Sequence, residues 1–439
     1  MCAGRHGGAP RLEFFQWPAE RLVEVAAQQR ARCGGFADWM SPSGNDSIIA
    51  CVRFVALVEA IPSSLAKAVA ISAASHLAFY GLTPVLSLHL VALGGTSTQV
   101  GLLFSTFSLV AVALRPAAGA WIDRQGVRRA LLPGAALMVL SSLGLQAATR
   151  PLVFIGVMAG FGAGFGLATM AAAVQAASAP ADRRGSALGV YYLTPPISMA
   201  IAAPLGLWLF REVGVSANFA VVTLLGLAIA AFGFSPSSAS ARRVASALGT
   251  SPLWSRGALP LSSVLAVAAM GQSVLYTFLP LHATAHGQER HLFWFFAIYS
   301  GGMIVFRIVI TTRADRWGRS QILMPALGLL ALGFGVMIPP PVPLRLAMSA
   351  VLLAAGSSAL YPMLVALVVD RVPARERGVA IGTVSGAWDL GVFAGSLSIA
   401  AIVGHASYGA GFATATALTL IALGGLVLIE RRRVAIPAT

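Results

Sequence analysis

The sequence predicts an all-α membrane protein: twelve transmembrane helices in two pseudo-symmetric six-helix halves. Three observations carry that expectation: a composition poor in charge, a dozen apolar stretches of spanning length, and a pattern that returns 192 positions later. Of the 439 residues 57% are hydrophobic and 10% charged, with a mean hydropathy of +0.80, whereas a soluble domain is about 25% charged. Roughly 20 apolar residues cross the ~30 Å hydrocarbon core as a helix, and lipid obliges each segment to bond its own backbone groups.

Residues 1–66 are polar and mixed in charge, and the apolar patch at 48–61 is too short to span. They read as a poorly ordered extension with one amphipathic surface helix, or as sequence upstream of a true start at Met40. The N-terminal residues do not read as a charged-then-apolar leader with a small-residue cleavage site, so no removable signal peptide is expected. The N-terminal half, 67–234, holds apolar stretches at 68–92, 99–121, 130–149, 151–178, 187–210 and 216–234. A Ser- and Arg-rich segment, 235–258, then reads as a central cytoplasmic loop. The C-terminal half, 259–430, repeats the arrangement at 259–281, 291–312, 321–340, 345–369, 379–403 and 408–429, and 431–439 is a tail.

The halves are related residue by residue. Arg115, seven residues, Asp123-Arg124-Gln125-Gly126 recurs as Arg307, seven residues, Asp315-Arg316-Trp317-Gly318. Pro180-Ala-Asp-Arg-Arg-Gly185 matches Pro373-Ala-Arg-Glu-Arg-Gly378 at an offset of 193, and Tyr80 with Pro84 matches Tyr276 with Pro280 at an offset of 196. If the Asp-Arg-x-Gly turns are cytoplasmic, nineteen arginines after Lys67, Arg115 and Arg307 among them, fall on that side against four (Arg150, Arg211, Arg290, Arg345) on the other. The positive-inside rule then puts both termini in the cytoplasm.

Composition excludes several functions. A net charge of +15 would suit nucleic acid, but the arginines gather at segment ends rather than on one soluble face. Cys2, Cys33 and Cys51 have no CxxC spacing and no histidine cluster, so neither a disulfide framework nor a metal site is expected. The single lysine, Lys67, follows no glycine-rich turn, which excludes a P-loop, and HExxH and GxSxG are absent. No cofactor and no enzymatic activity are expected.

With these residues in view, 67–430 resembles the major facilitator superfamily of secondary transporters. Gly119-Ala-Trp-Ile-Asp123-Arg124-Gln-Gly126-Val-Arg128-Arg129 is similar to that family's loop signature, and 311–319 to its degenerate second copy. The resemblance implies segments one, four, seven and ten around a central cavity, with two, five, eight and eleven between the halves. It also implies a small-molecule substrate, energy from a proton or solute gradient, a monomer in the cell inner membrane, and efflux or else uptake of a sugar or organic acid. A non-transporting sensor or assembly subunit on the same fold is the rival of another class. Two departures bear on subclass. The arginine that many proton-coupled exporters carry in segment four would fall at Gly156, and Ala202-Ala203-Pro204-Leu205-Gly206 only loosely resembles the exporter signature.

Candidate residues fall in three groups. Arg115, Gly119, Asp123, Arg124, Gly126, Arg128, Arg307, Asp315, Arg316 and Gly318 form a conformational latch, because carboxylates at such turns can meet the exposed amides of a neighbouring helix start. In the family arrangement these are the starts near Gly378 and Gly185; solvated charges that only orient insertion are the alternative. Asp389 is the one acidic residue well inside an apolar stretch. An ionised carboxylate is expensive there, which suits proton coupling or substrate contact, or a packing bond to a neighbouring helix. His76, Tyr80, Gln272 and Tyr276 would bring hydrogen-bonding groups from both halves to the midplane beside prolines 84 and 280, where broken helices mark a binding site. Gly156, Gly160 and Gly164 form a small-residue packing face, and Thr194-Pro195-Pro196 should break the fifth segment.

Overall fold

The computed structural model describes residues 63–178, 184–234, 254–373 and 376–434. The extension 1–62, most of the central loop and the last five residues of the tail lie outside the described residues. Every regular element described is helical. The N-terminal half is α1 (Ser63–Ala92), α2 (Ser97–Gln125), α3 (Val127–Ala147), α4 (Pro151–Ala177), α5 (Arg184–Tyr191), α6 (Thr194–Glu212) and α7 (Val215–Phe234). The C-terminal half is α8 (Leu259–Thr277), α9 (Leu279–Ala285), α10 (Leu292–Trp317), α11 (Arg319–Gly335), α12 (Pro343–Arg371), α13 (Arg377–His405) and α14 (Tyr408–Val434).

These fourteen helices make twelve rods, since α5–α6 and α8–α9 are single segments interrupted near prolines. At the first break Pro195 and Pro196 stand in the opening turn of α6, where a proline's missing N–H is harmless. At the second Pro280 opens α9 in the same way. The repeat-related Pro84 breaks nothing, and α1 runs through it for 30 residues. The expected pair of matching interruptions is therefore present on one side only. Ten described helices are individually long and apolar enough to cross a membrane. The fifth segment falls short because it is broken, and α11 because it has 17 residues, about 26 Å at 1.5 Å per residue.

The Asp-Arg-x-Gly turns are tighter than expected. α2 and α10 run on to Gln125 and Trp317, leaving one residue, Gly126 or Gly318, before the next helix. Both adopt the left-handed region, with φ of +87° and +81°, where a side chain would be strained. In consequence Arg115 and Arg307, counted above with the loop arginines, lie inside helices ten residues before those ends.

The duplication extends to packing. A Cβ on Gly164 of α4 would lie 2.6 Å from Gly134 O of α3, and one on Gly356 of α12 would lie 2.6 Å from Ala326 O of α11. All four positions are related by the offset of 192. Of the small-residue face in α4, Gly160 also meets α3, at Ser141, whereas Gly156 faces open space. We expect Gly164→Leu to destabilise the protein by about 1–3 kcal/mol through overpacking, seen as a lower Tm in detergent; an unchanged Tm would mean the α3–α4 contact is looser than described.

Between the halves, α2 packs on α13 and α6 on α10, so segments two, five, eight and eleven form the interface. At the end opposite the Asp-Arg-x-Gly turns, hereafter the far end, α2 and α13 close tightly. A Cβ on Gly101 would collide with Ala400 and lie 2.7 Å from Ser396 O. Ser105 Oγ donates to Phe393 O at 3.2 Å, and Ser97 Oγ lies 3.5 Å from the Tyr408 hydroxyl.

Candidate functional site

Where α1, α8, α2 and α13 converge, the two halves present polar and aromatic groups to each other. Tyr80 of α1 and Tyr276 of α8 have ring centroids 5.9 Å apart. The Tyr276 hydroxyl reaches Met199 Sδ of α6 at 3.1 Å and lies 3.4 Å from the Tyr299 hydroxyl of α10. His76 stacks on Tyr80 at 6.1 Å and meets Phe165 of α4 edge-on at 5.2 Å. Its Nδ1 lies 2.7 Å from Ser72 O, and because a carbonyl only accepts, Nδ1 carries the proton. Ser72 Oγ in turn lies 2.5 Å from Thr194 Oγ1, tying this histidine to the break between α5 and α6.

Gln272 behaves differently from its three companions. It is 2% exposed and donates through Nε2 to Ser357 Oγ of α12 at 3.0 Å, so it joins α8 to α12 within one half. A small cavity lies beside the tyrosine pair, walled by Phe79, Phe104, Phe107, Tyr276 and Val392. Of the four residues expected at the midplane, only Tyr276 is in its wall. The aromatic wall escaped notice because its phenylalanines sit in segments one and two, where apolar residues are the background.

The strongest electrostatic feature joins two residues that the sequence assigned to separate jobs. Asp389 of α13 is ion-paired with Arg115 of α2 across the interface between halves, with side-chain exposures of 20% and 32%. Asp389 is twelve residues into α13 and Arg115 ten before the end of α2, about 18 and 15 Å along their helices. Tyr361 of α12, whose hydroxyl lies 2.8 Å from Ser385 Oγ, and Tyr192, in the break between α5 and α6, approach from both halves with centroids 6.3 Å apart. The repeat mate Arg307 donates to Ser358 O of α12 at 3.4 Å, and Tyr80 is within electrostatic reach of both Arg307 and Asp389. The signal for this pair was the place of Arg115 inside an apolar stretch, two turns before the motif.

The latch is described only in part. Gly126 and Gly318 have the backbone just given, Gly119 lies inside α2, and Arg124 and Arg128 are exposed. The side chains of Asp123, Asp315 and Arg316, and those of the residues that open α5 and α13, lie outside the described residues. Among the described residues, the other ion pairs at this end lie within the C-terminal half: Arg319 with Asp370, and Arg371 with Glu430. At the far end His282 is packed against His286, Tyr408 and Phe412. Among the described residues, no three His, Cys, Asp or Glu side chains gather as a metal site.

Comparison with known proteins agrees with this geometry. The sequence pattern of the Major Facilitator Superfamily matches residues 68–289 and 261–438. Among solved structures the chain is similar to the nucleoside transporter NupG, at 12% identity and a TM-score of 0.66 over 83% of this chain and 99% of that one. It is similar to the human organic anion transporter MFSD10, at 18% and 0.63 over 83% and 100%. A peptide transporter, POT, aligns at 17% and 0.66 over 84% and 95%.

Proposed function

This chain belongs to the Major Facilitator Superfamily, and from that premise we propose that it is a secondary active transporter, moving a small organic solute by alternating access with proton coupling. One observation carries the reading: the Arg115–Asp389 ion pair, which bridges the two halves one turn along α13 from the cavity residue Val392. A carboxylate that a proton can neutralise, bonded across the seam that must open, links protonation to the relative position of the halves. The Asp-Arg-x-Gly end is cytoplasmic, both termini face the cytoplasm, and His76, Tyr80 and Tyr276 contact the solute; Gln272 acts by holding Tyr276 one turn away. The domain limits follow the repeat, 67–234 and 259–430 around the 235–258 loop, and the molecule works as a monomer.

Efflux is the direction that the loose exporter resemblance supports. The ion pair favours a second reading, uptake of an organic acid with a proton, because an anion and a proton entering together leave the charge of the pair's surroundings unchanged. Purified protein in liposomes should carry solute when a pH gradient is imposed. Absence of flux across a broad panel, under any gradient, would favour a sensor or assembly subunit.

The latch role is testable separately. Asp123→Asn should raise the population open at the cytoplasmic end, read as faster modification of a cysteine introduced at Ser385→Cys. An unchanged rate would leave these turns with an insertion role only.

A further inference from the structure

Away from their ends, the membrane-crossing segments carry three charged side chains, Arg115, Arg307 and Asp389, which sum to +1. The arginines are repeat mates, but the mate of Asp389 is Pro196, at an offset of 193, so the duplication supplies two cations and one carboxylate. One turn along α13 from Asp389, Val392 begins the aromatic-walled cavity of Phe79, Phe104, Phe107 and Tyr276. Phe79 and Phe107 are already stacked there, at 4.6 Å and 17°, the spacing at which flat rings attract one another. Aromatic rings one turn from an ion pair whose arginine can accept a carboxylate are complementary to a flat ring bearing one negative charge.

We propose, building on the proton-coupled reading above, that the solute is an aromatic monocarboxylate whose carboxylate replaces that of Asp389 on Arg115 while Asp389 takes up a proton. The charges balance. Before binding, Arg115, Arg307 and Asp389 sum to +1; afterwards two arginines, the bound anion and a neutral Asp389 again sum to +1. The exchange breaks the Arg115–Asp389 pair and forms an Arg115–solute pair, with the proton from solution residing on an Asp389 oxygen. No uncompensated charge enters the bilayer, which would otherwise cost several kcal/mol. The groups facing the pair are compatible with this. Tyr361 comes from α12, Tyr80 from α1, Tyr191 from the end of α5 and Tyr192 from the turn after it. α8 has no charged residue along Leu259–Thr277, and the charges of α14 lie at its last turns.

The test uses the full chain with benzoate, 1-naphthoate and indole-3-acetate, each against its uncharged amide. Binding is read as thermal stabilisation and as proton uptake from a weakly buffered solution with a pH indicator. At least one acid should bind with a proton taken up for each anion, and its amide should not. Asp389→Asn should bind the acid with no proton uptake. Because that variant leaves Arg115 uncompensated, the double variant Arg115→Gln with Asp389→Asn replaces both charges at once; it should bind the acid about 10- to 100-fold more weakly, as loss of a charge-assisted hydrogen bond implies. Equal binding of the amides, binding by none of the acids, unaltered binding by the double variant, or binding without proton uptake each overturns the proposal. Proton-driven flux of a neutral solute without acid binding would remove the substrate class and leave the transport reading. Acid binding with proton uptake but no flux under any gradient would do the reverse.

Discussion

Replacing Asp389 with asparagine should reduce solute flux driven by a pH gradient to the leak of empty liposomes, while solute-for-solute exchange persists. The asparagine amide cannot exchange a proton in this range, so the coupling step is lost, whereas the aromatic chamber and Arg115 remain to bind solute. Some stability should be lost as well. Removing one partner of a fully buried pair costs about 3–5 kcal/mol, and the partial exposure of Arg115 and Asp389, 32% and 20%, lowers that figure by letting water reach the orphaned guanidinium. Flux measured alongside exchange separates the two effects, because a merely misfolded variant loses both. Retention of the wild-type pH dependence by Asp389→Asn would remove this carboxylate from coupling.

The second large effect is expected at Gly101, on the far side of the molecule from the ion pair. Its missing Cβ is what allows α2 to lie against Ser396 and Ala400 of α13, and those contacts are backbone and a methyl group, which cannot rotate away. Gly101→Leu should therefore wedge the far end apart. Overpacking of about 1–3 kcal/mol borne by one of two conformations shifts their ratio roughly 5- to 150-fold. A cysteine placed in the cavity wall by Thr277→Cys should react faster with an impermeant reagent added outside the cell. An unchanged rate would mean that this closure does not control access.

These two sites differ in how far the sequence disclosed them. Segment number and the order of the halves follow from apolar run length and internal repetition, because a lipid-embedded chain has few other solutions, whereas the placing of segments two, five, eight and eleven between the halves came from the family resemblance. The repeat was deeper than its obvious motif: Pro133 and Pro325 inside helices, and Pro151 and Pro343 opening them, keep the 192 offset as well. Tyr80 and Tyr276 do meet, as symmetry about the central axis required.

What escaped the sequence was pairing between distant positions. Arg115 and Asp389 are 274 positions apart, and no periodicity links residues on two helices from different halves. Arg115 was grouped with the turn because hydrophobic run length underestimates a helix that ends in charged residues, as α2 and α10 do. Pro84 was expected to interrupt α1 by analogy with Pro280. A single proline removes one backbone bond and bends a helix, but it needs help from its neighbours to break one. Here the carbonyl freed by Pro84 is that of Tyr80, and one position earlier Thr83 donates from Oγ1 to Phe79 O at 2.6 Å.

Alternation between two arrangements of the halves is best tested by a distance measured across the far end. Spin labels at Leu93→Cys beyond α1 and Ala285→Cys at the end of α9, in protein whose Cys2, Cys33 and Cys51 are serine, should give two populations of distance, with their ratio moving as pH is changed. The same pair in the Asp389→Asn protein should give two populations whose ratio ignores pH. A single distance in the unaltered protein, the same at every pH and with every solute, would contradict the rocking of one half against the other.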